Sequence, residues 1–155
     1  MNFNGVNEQI LMKMKQVYIL LGILILIGCH DTKVGFLKAD NASYGIDSLI
    51  IRKELNMGDA NDKNRVEKEI PWLTDLIQGV LGTAPLRYEL YGVKAPSLEA
   101  EMIFREEFKI RGGGRMELPL YTKLPVGRYI VSLRVYNEDY SVVLPDVYTF
   151  IVKEK

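Results

Sequence analysis

Cysteine, histidine and tryptophan each occur once in this 155-residue chain. A lone cysteine, Cys29, leaves nothing for an internal disulfide or a thiolate zinc cluster, so packing must hold the fold together. The lone histidine, His30, sits beside it in a polar stretch rather than in a packed site. A Ser–His–Asp or Cys–His mechanism needs a base held in place, and a histidine-ligated zinc needs further ligands, so both are excluded. Twenty basic residues balance twenty acidic ones, which gives no electrostatic footprint for nucleic acid. No block of like charges reads as a polybasic membrane patch. A bilayer-spanning run is missing as well. The longest apolar stretch, Val17–Gly28, has twelve residues and would reach only ~18 Å as a helix, against a hydrocarbon core of about 30 Å.

What the stretch does have is the layout of an export signal. Lys13 and Lys15 form a basic approach, Val17–Ile27 an apolar centre, and Gly28 the small residue before a cut. The run Leu26-Ile27-Gly28-Cys29 resembles the lipobox of bacterial lipoproteins, and that resemblance implies acylation of Cys29 as the new N-terminus, with palmitate as a usual acyl group. The alternatives are an uncleaved anchor and a buried core helix, but His30, Asp31 and Lys33 end the run at once. Glu8 is misplaced in a basic approach, which points to a true start at Met12 or Met14. The expected organisation is therefore a signal over residues 1–28, a lipidated tether over 29–42 and one domain over 43–155. Asp31 alone matches the acidic surface-export signal known in one phylum of Gram-negative bacteria, so the occupied membrane face stays open. Cleavage leaves 127 residues, enough for one domain with its own core.

Nine Tyr, five Phe and many Val and Ile favour strands. Ser43–Leu55 is the first strand candidate, with Tyr44, Ile46, Ser48 and Ile50 on one face. Asn56–Lys68 reads as a loop. Residues 71–82 carry Trp72, Leu73, Leu76, Ile77, Val80 and Leu81 at helical spacing, yet Gly79 and Gly82 favour extended structure. Leu86–Val93, Glu101–Ile110, the short Met116–Leu120 run and above all Arg128–Asn137 read as strands, and Asp146–Val152 closes the chain. Such short strands at roughly ten-residue spacing predict an all-β, antiparallel sandwich.

The run from Gly114 to Val152 resembles the last strands of immunoglobulin-like, cadherin-like and PKD-like domains. There a proline–glycine turn (here Pro125 and Gly127) leads to a tyrosine opening a long strand (Tyr129), an asparagine turn (Asn137) and a closing strand (Phe150–Val152). With the lipobox, this pattern is similar to small lipoproteins of gut-dwelling Gram-negative bacteria that carry such domains beside glycan-uptake machinery. The resemblance covers about 40 residues and is nearly silent on function.

Few residues suggest chemistry. Glu99 and Glu101 share a face if the segment is extended, and Asp139 lies in a turn, but a glycosidase needs two carboxyls across a cleft. Asp59-Ala60-Asn61-Asp62 superficially resembles a cadherin calcium linker, yet it follows the first strand instead of the last, and an Asx-rich turn explains it better. Gly112–Gly114 opens a strand, whereas a phosphate cradle opens a helix. Trp72, Tyr91, Tyr121 and Tyr140 are weak candidates for an aromatic, sugar-binding platform on loops. The expectation is a non-enzymatic envelope lipoprotein without cofactor or metal, anchored to the membrane through Cys29, in the outer membrane in preference to the inner. It would bind an envelope protein or a glycan. A carbohydrate-binding module is the first alternative and a small glycoside hydrolase the second.

Overall fold

The computed structural model describes residues 12–16, 18 and 33–155, and the first of these groups is helical. Cys29 and most of the export stretch lie outside the described residues. No described helix is long and apolar enough to cross a membrane. The chain divides into two compact units, Met1–Val34 and Gly35–Lys155, and the second carries the sheets.

Strands dominate this unit, and most of them pair antiparallel. In chain order they are β1 (Leu37–Lys38), β2 (Ser48–Arg52), β3 (Trp72–Leu73), β4 (Leu81–Gly82), β5 (Arg87–Lys94), β6 (Lys109–Arg111), β7 (Arg115–Leu118), β8 (Gly127–Tyr136) and β9 (Ser141–Lys153). One sheet has the order β2-β9-β8-β5, a second β3-β7-β6, and a two-stranded ribbon joins β1 to β4. The exception to antiparallel pairing is β2, which runs parallel to β9 with Ser48 opposite Thr149 and Arg52 opposite Lys153. Two α-helices and one short 3-10 turn complete the unit: α1 (Ala60–Glu67) after β2, α2 (Leu98–Glu107) after β5, and the turn Gly112–Gly114 between β6 and β7.

The core follows from alternation. Tyr129, Val131, Leu133 and Val135 point inward from β8 and are fully buried, as the period of two along this strand requires. They join Phe150 and Val152 of β9, Ile51 of β2, Met116 and Leu118 of β7, Trp72 of β3 and Phe104 of α2 in one cluster. Phe104 sits between the rings of Phe108 and Tyr129, with centroids 5.3 and 5.5 Å away, and Phe150 lies at 5.8 Å. Tyr129 also donates its hydroxyl to the Pro125 carbonyl at 2.8 Å, fixing the turn that feeds β8.

Several expectations change. The compact unit takes in residues from Gly35 onward, where β1 pairs with β4, Leu37 opposite Gly82. The first long strand is short, and its inward side is Leu49 and Ile51, while Ile46 and Ile50 are exposed. Asn56–Lys68 is not all loop. Asp59 accepts hydrogen bonds from the Asn61 and Asp62 backbone N–H groups and so caps α1. Of Glu101–Ile110 only Lys109 and Ile110 belong to a strand, β6, while Glu101–Glu107 is helical. Ser97 caps α2 through the Ala100 N–H, and Ala100 with Phe104, four residues on, supplies a buried helical stripe. Residues 71–82 are extended as expected, with β3 and β4 at their ends. β9 begins earlier than residue 146 and passes Pro145 through an irregularity, where Asp146 takes a positive φ of 49° and its N–H bonds Ser132 Oγ at 3.0 Å.

Candidate functional site

Strand direction gives the unit two ends. β8 starts at Gly127, where Pro96 would meet any Cβ placed on that glycine, so the entry to α2 lies at this end. The other end of α2 is pinned by Glu107, which accepts from Thr122 Oγ1 at 2.5 Å and from the Lys123 N–H at 2.9 Å. α1 belongs here too. Its buried Asp62 accepts from Arg52 Nη2 at 2.5 Å and from the Asn56 N–H at 2.9 Å, at the tail of β2. The end of β9 lies here as well, because Lys153 pairs with Arg52.

The opposite end holds the β8–β9 turn and the β1–β4 ribbon. Asn137 Nδ2 donates to the carbonyls of Phe36 (3.0 Å) and Thr83 (3.2 Å), and its Oδ1 accepts from the Asp139 and Tyr140 N–H groups. Tyr44 reinforces the nearby wall by donating its hydroxyl to the Gly114 carbonyl. That carbonyl belongs to a glycine at φ 73°, where a Cβ would lie 2.7 Å from Ile77, so only glycine suits the position. A shallow cleft of about 470 Å³ opens between residues 39–47 and residues 142–147, with Asp40, Asp47 and Asp146 on its walls. Tyr44 and Tyr148 meet edge-on at 4.9 Å between centroids. Burial pushes the Tyr148 phenol up to about 12, with Asp75 and Asp47 adding to the shift. Tyr44 is raised further, by burial first and then by Tyr148 and Tyr88. Both phenols therefore stay neutral at physiological pH and serve packing.

The four candidate aromatics do not form one platform. Trp72 is only 4% exposed; its indole N–H donates to the Leu120 carbonyl at 3.2 Å, and the Arg65 guanidinium covers the ring at 4.2 Å. It is a core residue, and its faces are already occupied. Tyr91 is the extra residue of a bulge in mid-β5, between Leu90 opposite Leu133 and Gly92 opposite Ser132, and it points to solvent. Tyr121 is 67% exposed at the helix-bearing end. Tyr140 is half-buried in the β8–β9 turn. Because β8 has ten residues, roughly 33 Å of strand separates the two turns. One sugar ring cannot bridge them.

The carboxylate pair also comes apart. Glu99 and Glu101 lie two positions apart on α2, about 200° around the helix, and Glu101 is engaged by Arg105 at 2.8 Å. Among the described residues, no group of three or more His, Cys, Asp or Glu side chains is placed to hold a metal. Sequence reasoning missed two apolar surfaces. Leu98 and Met102 stand exposed on the outer side of α2, Val126 and Tyr121 are exposed in the segment leading into β8, and Phe36 and Leu81 stand exposed on the ribbon. The Ser97 cap followed by Ala100, Ile103, Phe104 and Glu107 at helical spacing was the signal for the first. The Phe36–Lys38 alternation ahead of the Asp40-Asn41 turn was the signal for the second. Comparison with protein-family models, curated proteins and solved structures finds no match to this chain.

Proposed function

We propose that this chain is a membrane-anchored, non-enzymatic binding or accessory module of the bacterial cell envelope, acylated on Cys29 and placed in the outer membrane. The observation that carries the proposal is the order of segments. A twelve-residue apolar run too short to span a bilayer ends at the only cysteine, and a compact strand-rich unit begins six residues later, at Gly35. The anchor and its passenger are thus adjacent.

The finer architecture is proposed as immunoglobulin-like. It is supported by the pairing of the first long strand, β2, parallel to the last, by the remaining strands divided β9-β8-β5 against β3-β7-β6, and by the Tyr129–Pro125 bond. That bond has the form of a tyrosine corner, in which a tyrosine near the start of a late strand fixes the chain a few residues upstream. In this reading the helix-bearing end is the one offered to a partner, because Leu98, Met102, Val126 and Tyr121 expose apolar surface there. The divergence of Glu99 and Glu101 around α2 speaks against the hydrolase alternative.

Metabolic labelling with palmitate tests the anchor. Label is expected on the wild-type protein and lost in Cys29→Ala, and label persisting in that variant overturns the assignment. Pull-down of the intact protein from its native membrane, repeated with Met102→Glu, tests the partner surface; loss of a co-purifying envelope protein is the expected result. Glycan binding keeps two exposed candidates, Tyr91 and Tyr121, and an array on which the wild-type protein fails to bind any glycan removes both.

A further inference from the structure

We infer that the outer face of the β1–β4 ribbon is a lipid-contacting surface that lays Phe36 and Leu81 against the bilayer. The inference rests on the acylation of Cys29 proposed above. Leu37 opposite Gly82 and Lys38 opposite Leu81 set the register. Side chains alternate along each strand, so Phe36, Lys38, Leu81 and Thr83 share one face while Leu37 turns back to pack against the core. Phe36 is 55% exposed and Leu81 62%. Two large apolar side chains are thereby held in water by a rigid support, since Asn137 fixes the Phe36 and Thr83 carbonyls and Thr83 Oγ1 accepts from the Phe36 N–H at 3.1 Å.

The length of chain between anchor and ribbon names the occupant. Six residues from Cys29 to Gly35 span at most about 22 Å. The thirteen-residue β9, which runs from the ribbon end to the helix-bearing end, is roughly 40 Å long. An acylated Cys29 therefore keeps the ribbon within reach of the headgroups. Interfacial apolar side chains lie only about 5–10 Å deep, a depth that Phe36 and Leu81 can reach from a ribbon resting at the headgroups. The face carries two large apolar side chains and one exposed cation, Lys38 opposite Leu81, so the contact is chiefly apolar and outlasts the screening of that charge by salt.

The test uses the full acylated protein in phosphatidylcholine–phosphatidylglycerol vesicles whose acyl chains carry bromine. Leu81→Trp and Met102→Trp place an indole at either end, over the common background of buried Trp72. The expected result is a blue shift and bromine-dependent loss of emission for Leu81→Trp, retained in molar salt, with no loss above background for Met102→Trp. Leu81→Trp emission that bromine leaves intact, or equal quenching of the two variants, overturns the inference when mass spectrometry finds Cys29 acylated. A Cys29 found free of acyl chains instead overturns the anchoring on which it rests.

Discussion

The two ends of the strand-rich unit are held by different chemistry. At the ribbon end the fastening is mostly backbone: β1 to β4, Ser43 to Gln78, and two carbonyls gathered by Asn137. At the helix-bearing end it is side chains, with Phe104 stacked among aromatic rings, Asp62 buried against Arg52, and Glu107 clamping the turn before β8. Backbone pairing tolerates exchange of the side chains it carries. Side-chain fastening does not, so the helix-bearing end should be the more sensitive to mutation and the ribbon end the freer to vary its surface.

Substitutions at the two ends put this to the test. Phe104→Ala removes a fully buried ring and should cost about 3–5 kcal/mol, read as a large drop in the denaturant midpoint; a cost below that of the ribbon variants breaks the comparison. Asp62→Ala unties α1 from β2 and should cost about 2 kcal/mol, less than a fully buried pair because Arg52 is partly solvated. Asn137→Ala should cost about 1 kcal/mol and act locally, with faster amide exchange at Leu37 and Lys38 and little change at α2. Tyr129→Phe should cost a similar ~1 kcal/mol, read as faster unfolding. Alkali provides the last test. Tyr148 has its folded pKa raised from 10.0 to about 12, and Tyr44 is raised as well. The folded state therefore holds protons that the unfolded chain gives up, so stability is constant below about pH 9 and falls as pH rises through 10 toward 12. Tyr148→Phe should flatten that fall in a pH-resolved unfolding series.

How far the sequence could be read follows the same division. β8 was legible because every second residue from Tyr129 to Val135 is apolar and buried, and β5 for much the same reason. α2 was not, because Met102, Phe104, Phe108 and Ile110 also fit a period of two, while the outward Leu98 and Met102 blur the helical stripe. α1 has no apolar stripe at all; its one buried side chain is Asp62, and an Asn-, Asp- and Lys-rich helix held by a cap and an ion pair looks like a loop. Trp72 seemed a loop aromatic because the two-residue β3 that buries it is too short to show alternation. The ribbon was hidden because Gly35–Ala42 is polar on average, and its pairing depends on β4, some forty positions away. Cys29 remains a reading of the sequence, as it lies outside the described residues.

The parallel pairing of β2 with β9 has a kinetic consequence. The strand made last is not an edge of its sheet but an inner member, flanked by β2 on one side and β8 on the other. Ser48 has no neighbour until Thr149 has been synthesised. Contacts so distant in sequence slow folding, so β9 gains its β8 neighbour, close in sequence, well before β2 closes the other flank.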